Sequence, residues 1–158
     1  MSFVALRFQL IGALLASSAL PAFAQVNATL KAAAKFMPEV HWKTGSALMG
    51  DFACHRQIDH ALVGVDATNI IVAVFLGTLS KPPQVLRFSK TARSPETAKL
   101  TLEDGDFDPK QFERELGYLP DGMRPSKTCK GLALSDGEVD AAHIYWNHNA
   151  KVFSAWVL

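Results

Sequence analysis

A chain of 158 residues, 49% hydrophobic and 20% charged, fits one ordinary globular domain and excludes disordered, collagen-like and low-complexity classes. Its 16 Lys and Arg against 15 Asp and Glu leave a net charge of +1, so no charge excess points to nucleic acid or an anionic membrane. Beyond the N-terminus no apolar run is long enough to span a bilayer.

Residues 1–24 have the three-part layout of an export signal. Arg7 is the only charge, an apolar stretch runs from Leu10 to Leu20, and Ala22-Phe23-Ala24 gives a small-x-small end before Gln25. The expected organisation is therefore a signal peptide over 1–24 and a single globular domain over 25–158, periplasmic or secreted, with no membrane span once the signal is cleaved. Cys54 and Cys129 are the only cysteines. In an exported chain they are most simply one disulfide; two buried thiols or a redox-active Cys are the alternatives, although there is no C-x-x-C spacing.

Leu30, Ala33, Ala34 and Met37 recur at helical spacing, which predicts a helix over Asn27 to Met37 ended by Pro38. From Ser46 the period shortens. Asp59 to Val65 and Ile70 to Leu76 read as strands on either side of a polar turn, and the second is apolar throughout, as in a central strand covered on both faces. Further strands are expected over Val85 to Phe88 and Lys99 to Leu102, where Leu100 and Leu102 share a face. Asp108 as N-cap, Pro109 at the first helical position and Gly117 just past the end define a short helix over Lys110 to Leu116. Tyr118 to Thr128 is a Pro/Gly loop. Cys129 to Leu134, Ala141 to Trp146 and Lys151 to Val157 complete the strands, the last two joined as a hairpin by Asn147-His148-Asn149-Ala150. The expected class is α+β, mainly β: an antiparallel sheet, rolled or paired into a sandwich, with an N-terminal helix, one short helix and one disulfide.

Three groups of residues invite a functional reading. Asp51 and Asp59 stand at the ends of Gly50-Asp51-Phe52-Ala53-Cys54-His55-Arg56-Gln57-Ile58-Asp59, where a cation loop would place its first and last ligands. The middle positions carry Ala53 and His55 and the turn carries Arg56, which cripples ligation of a hard cation. Asp104, Asp106 and Asp108, with Glu115 beyond them, resemble the spacing of a helix-loop-helix calcium loop, but Pro109 falls where the Gly belongs. An acidic turn capping the next helix is the simpler reading. Calcium is thus the one cofactor to weigh, and neither set favours it. In the last hairpin, alternation puts His143 and Tyr145 on one face and Ile144 and Trp146 on the other, with His148 and Asn149 at the turn. His143, Tyr145, His148 and Asn149 are the candidate binding residues, because exposed aromatics give contact area at little entropic cost. Zinc needs three converging ligands and no tight His pair exists. No nucleophile signature marks a catalytic centre.

The run GDFACHRQIDHALVG, the later CKGLALSDGEVDAAHIYWNH and the closing KVFSAW together resemble an uncharacterised group of small exported bacterial proteins. The resemblance covers about Gly50 to Trp156. In that group the first motif often reads D-F-x-C-D-G-x-x-D, which is similar to the calcium loops of FG-GAP and VCBS repeats; here His55 and Arg56 replace the Asp-Gly pair. The resemblance implies a shared fold and a Cys54–Cys129 pairing, and it carries over no catalytic residue. The functional expectation is an exported, non-enzymatic binding protein that recognises a protein or cell-envelope component. The alternatives are a periplasmic inhibitor or immunity-type protein, for example of lysozyme, and a metal-dependent hydrolase built on His143, His148 and Asp140.

Overall fold

The computed structural model describes residues 22–137 and 140–157. The expected export signal lies outside the described residues apart from Ala22 to Ala24, which open helix α1 (Ala22–Phe36). That helix starts earlier than its apolar periodicity suggested, because nothing between Ala22 and Asn27 breaks a helix. It ends just before Met37, whose N–H still reaches the Ala33 carbonyl at 2.9 Å.

Among the described residues, nine strands follow in two antiparallel sheets, neither of them closed. The first contains β1 (His41–Trp42), β2 (Leu48–Gly50), β3 (Asp59–Val65), β4 (Asn69–Phe75) and β5 (Gln84–Ser89). β3, β4 and β5 run in order, while β1 and β2 share the outer edge of β3. The second is a meander of β6 (Lys99–Asp104), β7 (Lys130–Ser135), β8 (Ala142–Asn147) and β9 (Val152–Trp156), with helix α2 (Pro109–Leu116) between β6 and β7.

Alternation along β4 explains its all-apolar sequence. Ile70, Val72 and Val74 face the second sheet, where they meet Leu100, Leu132, Leu134, Ile144 and Phe153. Ile71, Ala73 and Phe75 face the other way, onto Ala33 of α1 and Met37 just beyond its end. These six β4 side chains are fully buried, and each large one stabilises the fold by about 1.5–3 kcal/mol relative to exposure. The layers are α1, first sheet, second sheet. Gly64 on β3 is required by this stacking, since a Cβ there would stand 2.6 Å from Val40 and 2.7 Å from Trp42. On β6, Leu100 is buried as expected, but Leu102 on the same face remains 47% exposed, beyond the cover of the first sheet.

α1 is tied to β3 by a hydrogen bond as well as by packing. The buried Thr29 hydroxyl donates to the Gln25 carbonyl at 2.9 Å, so its oxygen is left to accept from His60 Nδ1 at 3.1 Å. Burial holds the His60 imidazole below its ordinary pKa, against the opposing pull of Asp59. A base whose folded pKa is depressed favours the fold while it is neutral. Its contribution is complete above the unfolded value near 6.5 and is lost as pH falls through the folded value. Wild type should therefore lose its advantage in Tm over His60→Gln between pH 7.5 and pH 5. A Tm difference that is constant with pH would contradict this.

Candidate functional site

The loop between β2 and β3 is built around two carboxylates. Asp59 is fully buried; its Oδ2 accepts the N–H groups of Phe52 and Ala53 at 3.0 and 2.9 Å, and its Oδ1 accepts that of Gly77 at 2.9 Å. Asp51 accepts the N–H groups of His55 and Arg56, both at 2.9 Å. The imidazole of His55 lies between them, with Nε2 3.1 Å from Asp59 and Nδ1 3.5 Å from Asp51. Turning the chain so tightly takes positive φ at two non-glycine residues, Cys54 (56°) and Arg56 (62°). Among the described residues, Asp51, His55 and Asp59 are the one group close enough to share an ion. Calcium wants six to eight oxygens, whereas here every carboxylate oxygen already accepts an N–H or faces the imidazole. The loop does not fit that ion.

The second acidic group does not converge. Asp104 pairs with Lys130, which holds its carboxyl below the usual range. Asp108 caps α2 by accepting the Lys110 N–H at 2.9 Å, and Gly117, at φ 81°, closes the other end with its N–H on the Glu113 carbonyl. Asp106 is exposed on its own.

The hairpin residues have a different setting. β7 and β8 pair only from Leu132↔Ile144 to Leu134↔Ala142, while β6–β7 pairing continues to Asp104↔Lys130 and β8–β9 pairing to Asn147↔Val152. The two hairpins thus part at Leu132 and Ile144. A cavity of about 430 Å³ opens at the fork, in the size range of small-molecule sites. His143, Tyr145, His148 and Trp146 line it from β8 and its turn. Asn149 does not; its side chain donates to Asp121 at 2.9 Å. Asp140 lies before β8, with its carbonyl accepting from Arg93 at 2.7 Å, and does not line the cavity that both histidines of the hydrolase alternative line.

One wall is aromatic. Cross-strand register sets His143 opposite Trp156, and the two rings stack at 4.1 Å. Phe112 of α2 meets Trp156 edge-on at 5.2 Å, and Phe107 lies 5.3 Å from Phe112. Glu103 on β6 reaches across to His143 Nδ1 at 2.8 Å and so fixes the imidazole. The opposite wall is the loop after α2, clamped onto the last hairpin. The Tyr145 hydroxyl donates to the Asp121 carbonyl at 3.0 Å, the Asp121 carboxylate accepts from Asn147 and Asn149, and the His148 N–H donates to Gly122. Tyr145 is therefore half-buried and engaged rather than freely presented, and burial pushes its phenol up. Burial first, then the positive charges of Arg124 and Lys151, hold His148 below the ordinary imidazole value.

The Cys54–Cys129 disulfide lies against the same cavity and joins the Asp51 loop to the start of β7, where the Lys130 N–H also bonds the Asp51 carbonyl at 3.0 Å. Sequence reasoning passed over Glu103, Phe107, Phe112, Arg124 and Trp156. The pair Phe107 and Phe112 flanking the helix cap was the available signal. Comparison with known proteins found no matching family model, no matching curated protein and no matching solved structure. The fold and cavity define the class: a disulfide-linked two-sheet β protein with an aromatic pocket at a fork between hairpins.

Proposed function

We propose that this chain is an exported, non-enzymatic binding protein whose site is the cavity between the parting hairpins. The observation that carries the reading is the aromatic wall of Phe107, Phe112 and Trp156 beside the fixed His143–Glu103 pair. An apolar concavity with a few placed polar groups is what ligand recognition requires. The serine in the lining, Ser126, accepts the N–H groups of Thr128 and Cys129 through its hydroxyl and is spent on its own loop, and the two cysteines are bonded to each other. Neither side chain stands ready beside His143 as a nucleophile. The leader-like N-terminus and the disulfide support export.

The test uses protein recovered from the exported fraction, with an intact mass expected to begin at Gln25. Titration with the neutral aromatic probe N-phenyl-1-naphthylamine should quench tryptophan emission saturably at one site. Phe112→Ala should weaken it by roughly tenfold, the loss of one good aromatic contact. Absence of saturable binding, or equal binding by the variant, would remove the cavity as the site.

A further inference from the structure

Resting on the reading of the cavity as a binding site, we infer that its ligand is an aromatic anion, a flat ring system carrying a carboxylate or sulfonate that meets Arg124 at the rim. The acidic side chains at the cavity are each hydrogen-bonded, and one cationic side chain is not. Glu103 is held by His143, Asp104 by Lys130, and the Asp121 carboxylate is turned to the amides of Asn147 and Asn149. Arg124 lines the cavity, is exposed, and makes no hydrogen bond or ion pair among the described residues.

The two charged ends are well separated. Glu103 sits at His143, and Arg124 acts on His148, five residues further along β8 and its turn. Along β8 that places them toward opposite ends of the strand. The ring-lined wall stacks on His143 at the Glu103 end, and Arg124 belongs to the loop that forms the opposite wall. A second donor also lacks a partner: the Trp156 indole N–H, in the aromatic wall, is buried without an acceptor among the described residues. A guanidinium binds a planar oxyanion through two parallel N–H bonds. An anion on an aromatic frame satisfies the wall and the guanidinium together; a neutral aromatic satisfies only the wall.

A matched pair of probes separates the two contributions. 8-Anilinonaphthalene-1-sulfonate and N-phenyl-1-naphthylamine share one ring skeleton and differ in the sulfonate. Both are titrated into wild type, Arg124→Gln and Arg124→Lys, with Tm measured to show that each variant is folded. The sulfonate should bind wild type about tenfold more tightly than the neutral probe, a difference of about 1.4 kcal/mol. Arg124→Gln should erase that gap without changing the neutral probe, Arg124→Lys should restore part of it, and added salt should narrow it. Equal affinity of the two probes for wild type, or a gap that survives in Arg124→Gln, overturns the anion inference while leaving the cavity as a site. Failure of both probes to bind overturns the binding-site reading itself.

Discussion

Cys54→Ser should lower the free energy of unfolding by about 4 kcal/mol, the chain-entropy value for a bridge closing so long a loop. The two cysteines are 75 residues apart, and β3, β4 and β5 of the first sheet and β6 of the second lie between them. Without the bridge the unfolded chain regains that freedom. The folded chain keeps the Lys130-to-Asp51 backbone bond, the Asp51 and Asp59 hydrogen bonds and the buried Phe52 and Ala53 to hold the loop in its place. Urea unfolding of oxidised wild type, reduced wild type and Cys54→Ser measures it, and the last two should coincide. Because both cysteines line the cavity, Cys54→Ser should also weaken N-phenyl-1-naphthylamine binding under conditions where the protein remains folded. A loss below about 1 kcal/mol would mean that the polar contacts of the loop suffice without the covalent link.

Legibility in the sequence followed the length and regularity of each element. β3 and β4 were readable to within a residue because each is a seven-residue run dominated by β-branched and apolar side chains and bounded by turns. α2 was readable from its punctuation alone: Asp108, Pro109 and Gly117 do in the structure what those residue types do at helix ends. β1 and β2, of two and three residues, are too short for any period to register. The cavity was out of reach for a different reason. It exists because β7 and β8 stop pairing at Leu132 and Ile144, and register between strands separated by a loop is a property of the packed sheets, not of either segment. Alternation did place His143 and Tyr145 on one face. It could not show that Tyr145 is tied to Asp121, because the loop carrying Asp121 has no pattern that predicts where it lies.

Asp59→Ala should cost about 4 kcal/mol or more, and the cost should come from hydrogen bonds rather than from a lost ion. Removing the carboxylate leaves the N–H groups of Phe52 and Ala53 without an acceptor where Asp59, Phe52 and Ala53 are all buried, while the N–H of exposed Gly77 can turn to water. Each orphaned buried donor costs about 1–3 kcal/mol. Asp51→Ala should cost much less, because the His55 and Arg56 N–H groups it serves are exposed and water can replace it. Asp59→Asn, which keeps one acceptor oxygen but turns an NH₂ toward backbone donors, should fall between the two. Were the loop held by calcium, both aspartates would matter alike, and adding calcium would raise the Tm of wild type but not of Asp59→Ala. Urea unfolding of the three variants, with wild-type melts in calcium and in chelator, distinguishes the cases. The expected result is a steep order from Asp59→Ala to Asp51→Ala, and a wild-type Tm indifferent to calcium, because His55 and the backbone N–H groups already occupy the positions where a cation would have to bind.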